Sequence, residues 1–229
     1  MALLSIKPVW LKFKKLSISR KLTILFGAVA LIEIIVVAAI LITSVKPTDQ
    51  PLSNPTAEAY RQKLPSLKEN AENKPKDVNA QREYAVALYA TNHLEEARAQ
   101  YEKAIALSPN DSTLRNNLGN TCRDLRDYEK ASAYYRKAFE LNPQLVSAYV
   151  NLANMLIYTQ HDVEGGIAIY QQALRNMPDN AEVKILLGLT YEQKGDKDRA
   201  LAVYQEVLAA HPNNAAAKSN SERLEKQSQ

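Results

Sequence analysis

The residues able to do chemistry in this 229-residue chain are few and scattered. His93, His161 and His211 fall at turns or helix ends of separate segments, too far apart to share a metal ion or a substrate. Cys122 is the only cysteine, so no internal disulfide can form. It shares an apolar column with Leu88, Leu156 and Tyr191 and reads as a small core residue. No phosphate loop, dinucleotide fingerprint or HExxH motif is present. The expectation is a protein that is not an enzyme, with no catalytic residue, no cofactor and no metal. What remains is a set of amides: Asn117 and Asn120 recur as Asn151 and Asn154. An amide side chain both donates and accepts, so a ladder of asparagines can pair with the backbone of an extended ligand without reading its sequence. Arg123 and Tyr158, one turn further on, offer a charge contact and an aromatic contact.

The amides recur because the chain itself does. Pro109, Pro143, Pro178 and Pro212 are spaced 34, 35 and 34 residues apart, and Tyr101, Tyr135, Tyr170 and Tyr204 keep the same spacings, as do Ala97, Ala131, Gly166 and Ala200. Ala85, Gly119, Ala153 and Gly188 are small on the first helix of each unit and the Ala97 column is small on the second, so two helices can approach closely. The tyrosine is then expected to fill space against a neighbouring repeat. Asp127, Asp162 and Asp196 stand where a side-chain oxygen can cap a second helix, with His93 replacing them in the first unit. Each proline follows a second helix and stops it. The third unit is one residue longer, and the register confines the insertion to the stretch between Leu156 and Asp162. Gly165 and Gly166 weaken the following helix start, so this hairpin is expected to be the most mobile.

The pattern resembles the tetratricopeptide repeat, a helix-turn-helix unit, over about Val78 to Asn214. The second unit shows it best, with Asn117-Leu118-Gly119-Asn120, Asp127-Tyr128, Ala131, Tyr135, Ala138 and Pro143. The large residue near the family's repeat start is replaced by Gln81, Arg115 and Lys184, with Tyr149 the exception, and weaker packing is expected there. The resemblance implies an all-α solenoid of about four repeats, at 78–111, 112–145, 146–180 and 181–214. A spacer and degenerate half-repeat (46–77) precede them and a capping helix (215–229) follows. In this family the first helices line a concave groove that binds an extended peptide or a partner helix, which makes Asn117, Asn120, Arg123, Asn151, Asn154 and Tyr158 the candidate peptide- or protein-binding residues. Some members clamp a C-terminal carboxylate with basic residues; here Asn116, Glu182 and Leu186 stand at those places, which disfavours a cytosolic chaperone co-factor.

Composition and charge frame this reading. At 46% hydrophobic and 24% charged the chain has the profile of an ordinary globular protein, against disorder and against a polytopic membrane protein. Six of the 29 basic residues lie in 1–21 with no acid among them; removing these, and Glu33 from the 25 acids, leaves 23 bases against 24 acids, a balance that gives nucleic acid no steering. Residues 22–45 read as a transmembrane helix of about 36 Å, enough to cross a hydrocarbon core of roughly 30 Å. The one-sided basic block puts the N-terminus in the cytoplasm and everything after the span outside it. Glu33, at the centre of the span, is expected to contact another membrane helix.

A tethered array of this kind resembles helper proteins of cytochrome c maturation and ancillary translocon subunits. The expected function is a membrane-anchored scaffold or chaperone-like adaptor for a protein or peptide client. The alternatives are a regulatory or structural subunit docking on a folded partner, and a mitochondrial import receptor.

Overall fold

The computed structural model describes residues 55–227. The basic segment, the apolar run 22–45 with Glu33, and the spacer up to residue 54 lie outside the described residues. Among the described residues there are ten α-helices, one π-helical turn and no strand, and no helix long and apolar enough to cross a membrane. The helices are α1 (Pro55–Asn73), α2 (Val78–Ala90), α3 (Leu94–Leu107), α4 (Ser112–Asp124), α5 (Tyr128–Leu141), α6 (Val146–Asn154), α7 (Val163–Asn176), α8 (Ala181–Lys194), α9 (Lys197–Ala210) and α10 (Ala215–Lys226). The main contacts join sequence neighbours, with a small addition between α4 and α6. That nearest-neighbour pattern is an all-α solenoid, in which each hairpin is stabilised by the one before and the one after it.

Short polar residues set the helix starts. Asp111, Asn180 and Asn214 accept from the backbone N–H three residues on at 2.9 Å, capping α4, α8 and α10. Asp127, Asp162 and Asp196 cap α5, α7 and α9 in the same way, at 3.3, 2.8 and 3.1 Å, as their positions suggested. Each such cap contributes about 1 kcal/mol. His93 and Leu145 make no side-chain cap. Before each second-helix cap the chain turns through the left-handed region, at Asn92 (φ 64°), Arg126 (63°), His161 (58°) and Gly195 (86°).

The core is a row of tyrosines set among alanines. Tyr101, Tyr135, Tyr170 and Tyr204 are buried, as are Ala97, Ala131 and Ala200. In the second and fourth hairpins the tyrosine ring lies against the small residue of its own first helix. A Cβ on Gly119 would lie 2.6 Å from the Tyr135 ring, and one on Gly188 would lie 2.5 Å from the Tyr204 ring. The small residue on the first helix therefore admits the ring of the same hairpin rather than a bare backbone. The residues at the large position differ from unit to unit. Tyr149 stacks on Phe139 of the preceding hairpin, centroids 4.2 Å apart and planes within 6°. Gln81 is not loosely packed: it is buried and donates to the carbonyls of Ala71 (2.7 Å) and Lys74 (3.1 Å), closing the end of α1. Lys184 pairs with Glu206 at 3.2 Å.

The extra residue of the third unit is taken up by a π-helical turn, Met155–Thr159. In the other three hairpins the cap residue's N–H closes on a carbonyl five residues back (Leu88, Cys122, Tyr191), whereas Asp162 closes on Leu156, six back. The insertion thus lies where counting placed it. Ile157 is pressed inward to 2% exposure, its side chain filling the space that a Cβ on Gly166 would need, at 2.3 Å. Tyr158, next in sequence, is turned out to 65% exposure.

Candidate binding groove

Polar side chains tie the first helices α2, α4 and α6 to one another in sequence, and separately tie α8 to α10. The Tyr89 hydroxyl of α2 donates to Asp124 Oδ2 of α4 at 2.6 Å. Asn151 Nδ2 of α6 donates to Asn116 Oδ1 of α4 at 2.9 Å. At the far end Arg223 Nη2 of α10 donates to both carboxylate oxygens of Glu192 on α8, at 2.8 and 2.7 Å. Burial first, then the bond to Asp124, pushes the Tyr89 hydroxyl up to about 12.

The candidate amides are each committed on one side. Asn120 Oδ1 accepts from the Tyr135 hydroxyl at 2.8 Å, and Asn154 Oδ1 accepts from the Tyr170 hydroxyl at 3.0 Å. Both asparagines are half-buried, and the Nδ2 donors of both make no bond within the protein among the described residues. Asn117 lies against the Tyr101 hydroxyl of the preceding hairpin; burial raises that tyrosine's pKa and the amide pulls it back. Arg123 is paired, its Nε donating to Asp124 Oδ1 at 2.8 Å. Tyr158 stands exposed in the π turn that follows α6. The row then changes character, because the places held by Asn151 and Asn154 on α6 are Leu186 and Leu189 on α8, with Leu189 41% exposed.

Asn116, Tyr89 and Asp124 join the site without having been singled out as binding residues. Their signal was hidden by the period: Asn116–Asn151 and Tyr89–Asp124 are each 35 residues apart, so aligning equal positions at 34 separates the true partners. His93, His161 and His211 remain in separate turns, and His93 Nδ1 is 2.8 Å from Thr91 Oγ1. No group of three metal-ligating side chains occurs among the described residues. Burial pushes the Cys122 thiol up to about 11, as befits a core residue. A cleft of about 550 Å³ lies apart from this row, between α1, α2 and α3. Its polar floor, Gln81 and Gln100, is joined by a hydrogen bond from Gln100 to Gln81 and serves to close α1.

Helix-turn-helix units stacked at this period, with this tyrosine and alanine core, define a repeat scaffold. Three family models described as tetratricopeptide repeats or TPR repeats match residues 85–122, 113–145 and 158–220, and the described chain is a tetratricopeptide-repeat solenoid. Among curated proteins it is similar to Anaphase-promoting complex subunit 3 of Schizosaccharomyces pombe, 26% identical over 143 residues, 62% of this chain and 21% of that protein. It is also similar to BBSome complex member BBS4 of Mus musculus, 28% identical over 119 residues, 52% of this chain and 22% of that one. The chain thus spans about a fifth of the length of these relatives. Its fold matches the crystal structure of MamA with a TM-score of 0.56 at 17% identity, covering 75% of this chain and 94% of that one.

Proposed function

We propose that this chain is a membrane-anchored, non-catalytic scaffold or chaperone-like adaptor that holds a protein client, or an extended segment of one, along its first-helix row. Cytochrome c maturation or envelope protein assembly is the setting we favour. The observation that carries the reading is the pair of Nδ2 donors on Asn120 and Asn154, held in place by tyrosine hydroxyls yet unpartnered, on successive repeats. Fixed donors of this kind suit the carbonyls of an extended backbone. The anchoring rests on residues 22–45, which meet the bilayer with an N-terminus in the cytoplasm and the repeats outside it, and with Glu33 against a second membrane helix. A second reading, a regulatory or structural subunit on a folded membrane-complex partner, draws on relatives whose names are those of complex members. An import receptor on mitochondria requires the repeats in the cytosol, and a reporter fused after Gln229 separates these topologies.

The test uses the full chain captured with its clients from membranes and assayed by mass spectrometry, then against arrays of peptides from those clients. Asn120→Asp with Asn154→Asp keeps both acceptors for the tyrosines and removes both free donors. Losing two hydrogen bonds of about 0.5–1.5 kcal/mol each should weaken binding roughly ten-fold or more at 1.4 kcal/mol per decade, with the melting temperature unchanged. Normal client binding by this folded variant would move the search to another face.

A further inference from the structure

We infer that the cleft between α1, α2 and α3 is a second binding site, one that takes a dipeptide with free ends. Glu96 meets its ammonium, Gln100 its peptide group and Lys103 its carboxylate. These three side chains line the cleft together, and its volume of about 550 Å³ is of the order found for small-molecule sites. The inference does not depend on the groove reading, since neither Asn120 nor Asn154 borders this cleft.

Gln100 carries the argument. Its place is held by Tyr134, Ile169 and Val203 in the other units, so an amide replaces a ring or a branched chain only here. It is 6% exposed, and a buried amide costs stability unless its polar atoms find partners. Gln100 Nε2 donates to Gln81 Oε1, while Gln81 Nε2 is spent on the carbonyls of Ala71 and Lys74. Gln100 Oε1 accepts from no group of the protein among the described residues. No fully enclosed side-chain polar atom there lacks a partner, so this oxygen opens into the cleft. A peptide N–H is the donor that suits it.

Spacing sets the length of the ligand. Glu96 and Lys103 are seven residues apart on α3, on the face that also carries Gln100. At 1.5 Å per residue that is about 10 Å along the helix. An extended dipeptide spans about 7 Å between its ends, and the remainder is about one hydrogen-bond length. The two charged groups of a free α-amino acid sit on one carbon and cannot reach both ends.

Charge sets its ends. At the places of Glu96 and Lys103, the second unit pairs Lys130 with Asp127 and Lys137 with Glu140, and the fourth pairs Arg199 with Asp196 and Glu206 with Lys184. Glu96 and Lys103 make no ion pair among the described residues. The cleft's other two charges, Lys68 and Glu72, lie 3.9 Å apart and offset each other. Burial first, then Glu96 and Glu72, raises the pKa of the Tyr84 hydroxyl, so the field at that side of the cleft is negative and favours an ammonium. The lining is balanced in sign, which matches a zwitterion better than an ion of either charge.

The experiment titrates the full chain, by calorimetry, with a panel of dipeptides bearing uncharged side chains, each also N-acetylated or C-amidated, and with the matching free amino acids. Free-ended dipeptides should bind, and either modification should weaken them about five-fold, the upper end for an exposed ion pair. Glu96→Gln should weaken the free dipeptides to the same extent and leave the N-acetylated forms unchanged, while Lys103→Gln should do so and spare the amides. Both positions are exposed, so the melting of these variants should match the wild type. Failure of every free-ended dipeptide to bind, binding that acetylation or amidation leaves unchanged, or free amino acids that bind as tightly overturns the inference. Wild-type affinity in both Glu96→Gln and Lys103→Gln overturns it too. The Asn120→Asp/Asn154→Asp variant should bind dipeptides normally; a loss there puts them in the first-helix groove and overturns the second site while leaving the groove reading intact.

Discussion

Replacing Gly119 by alanine sets two calculable effects against each other. Gly119 lies inside α4, where alanine is favoured over glycine by about 1 kcal/mol. Against this, the new Cβ would lie 2.6 and 2.7 Å from two carbons of the Tyr135 ring and 3.2 Å from a third. Ordinary carbon contacts are about 3.5–4.0 Å, so the ring must retreat by about 1 Å. Tyr135 has nowhere to go, being fully buried with its hydroxyl held by Asn120 at 2.8 Å. Overpacking of this kind costs about 1–3 kcal/mol, and loss of the hydrogen bond adds about 0.5–1.5 kcal/mol. The net expectation is a loss of about 2 kcal/mol, or about 4–8 °C in melting temperature for a domain of this size. Thermal and urea unfolding of Gly119→Ala, Tyr135→Leu and the double variant complete the cycle. In the Tyr135→Leu background the ring is absent, so Gly119→Ala should stabilise, reversing its sign. If Gly119→Ala is neutral or stabilising in the wild-type background, the glycine is not there to admit the ring, and the account of the column fails.

Alkaline unfolding should be cooperative. Burial raises the pKa values of Tyr101, Tyr135, Tyr170 and Tyr204, and burial with the Asp124 bond takes Tyr89 to about 12. A folded pKa above the unfolded value near 10 gives stability that is fully present below pH 10 and lost above it, so tyrosinate absorbance and helix loss should rise together in that range. His161→Gly should stabilise by about 1 kcal/mol, since a histidine at φ 58° carries a left-handed penalty that glycine lacks; an unchanged urea midpoint refutes this. Deleting Gln160 restores the period, but it should destabilise the third hairpin by withdrawing Ile157 from its space beside Gly166. Adding Gly166→Ala should recover much of that loss, and a variant that melts no higher than the deletion alone counts against the linkage.

What could be read from the chain, and what could not, divides along a physical line. The period, the tyrosine and alanine columns, the aspartate caps and the place of the extra residue were all legible, because each depends on one residue type recurring at one spacing. Partners across the solenoid were not. Asn151 was aligned with Asn117, yet its amide meets Asn116, because neighbouring helices are offset by a residue at the contact. The role of the asparagine ladder was likewise only half visible: the amide chemistry of Asn120 and Asn154 could be named, but not that a tyrosine hydroxyl from the same hairpin occupies each oxygen. That occupation matters for function, since an amide free to rotate would present either end to a ligand, whereas one held through its oxygen presents only its N–H groups. Counting located the inserted residue between Leu156 and Asp162 but could not say which neighbour would be buried. That choice is made by Gly166 on the facing helix, whose missing Cβ leaves room for Ile157 and so turns Tyr158 outward. The glycine read in sequence as a weak helix start is therefore also the reason an aromatic ring stands exposed one turn beyond Asn154.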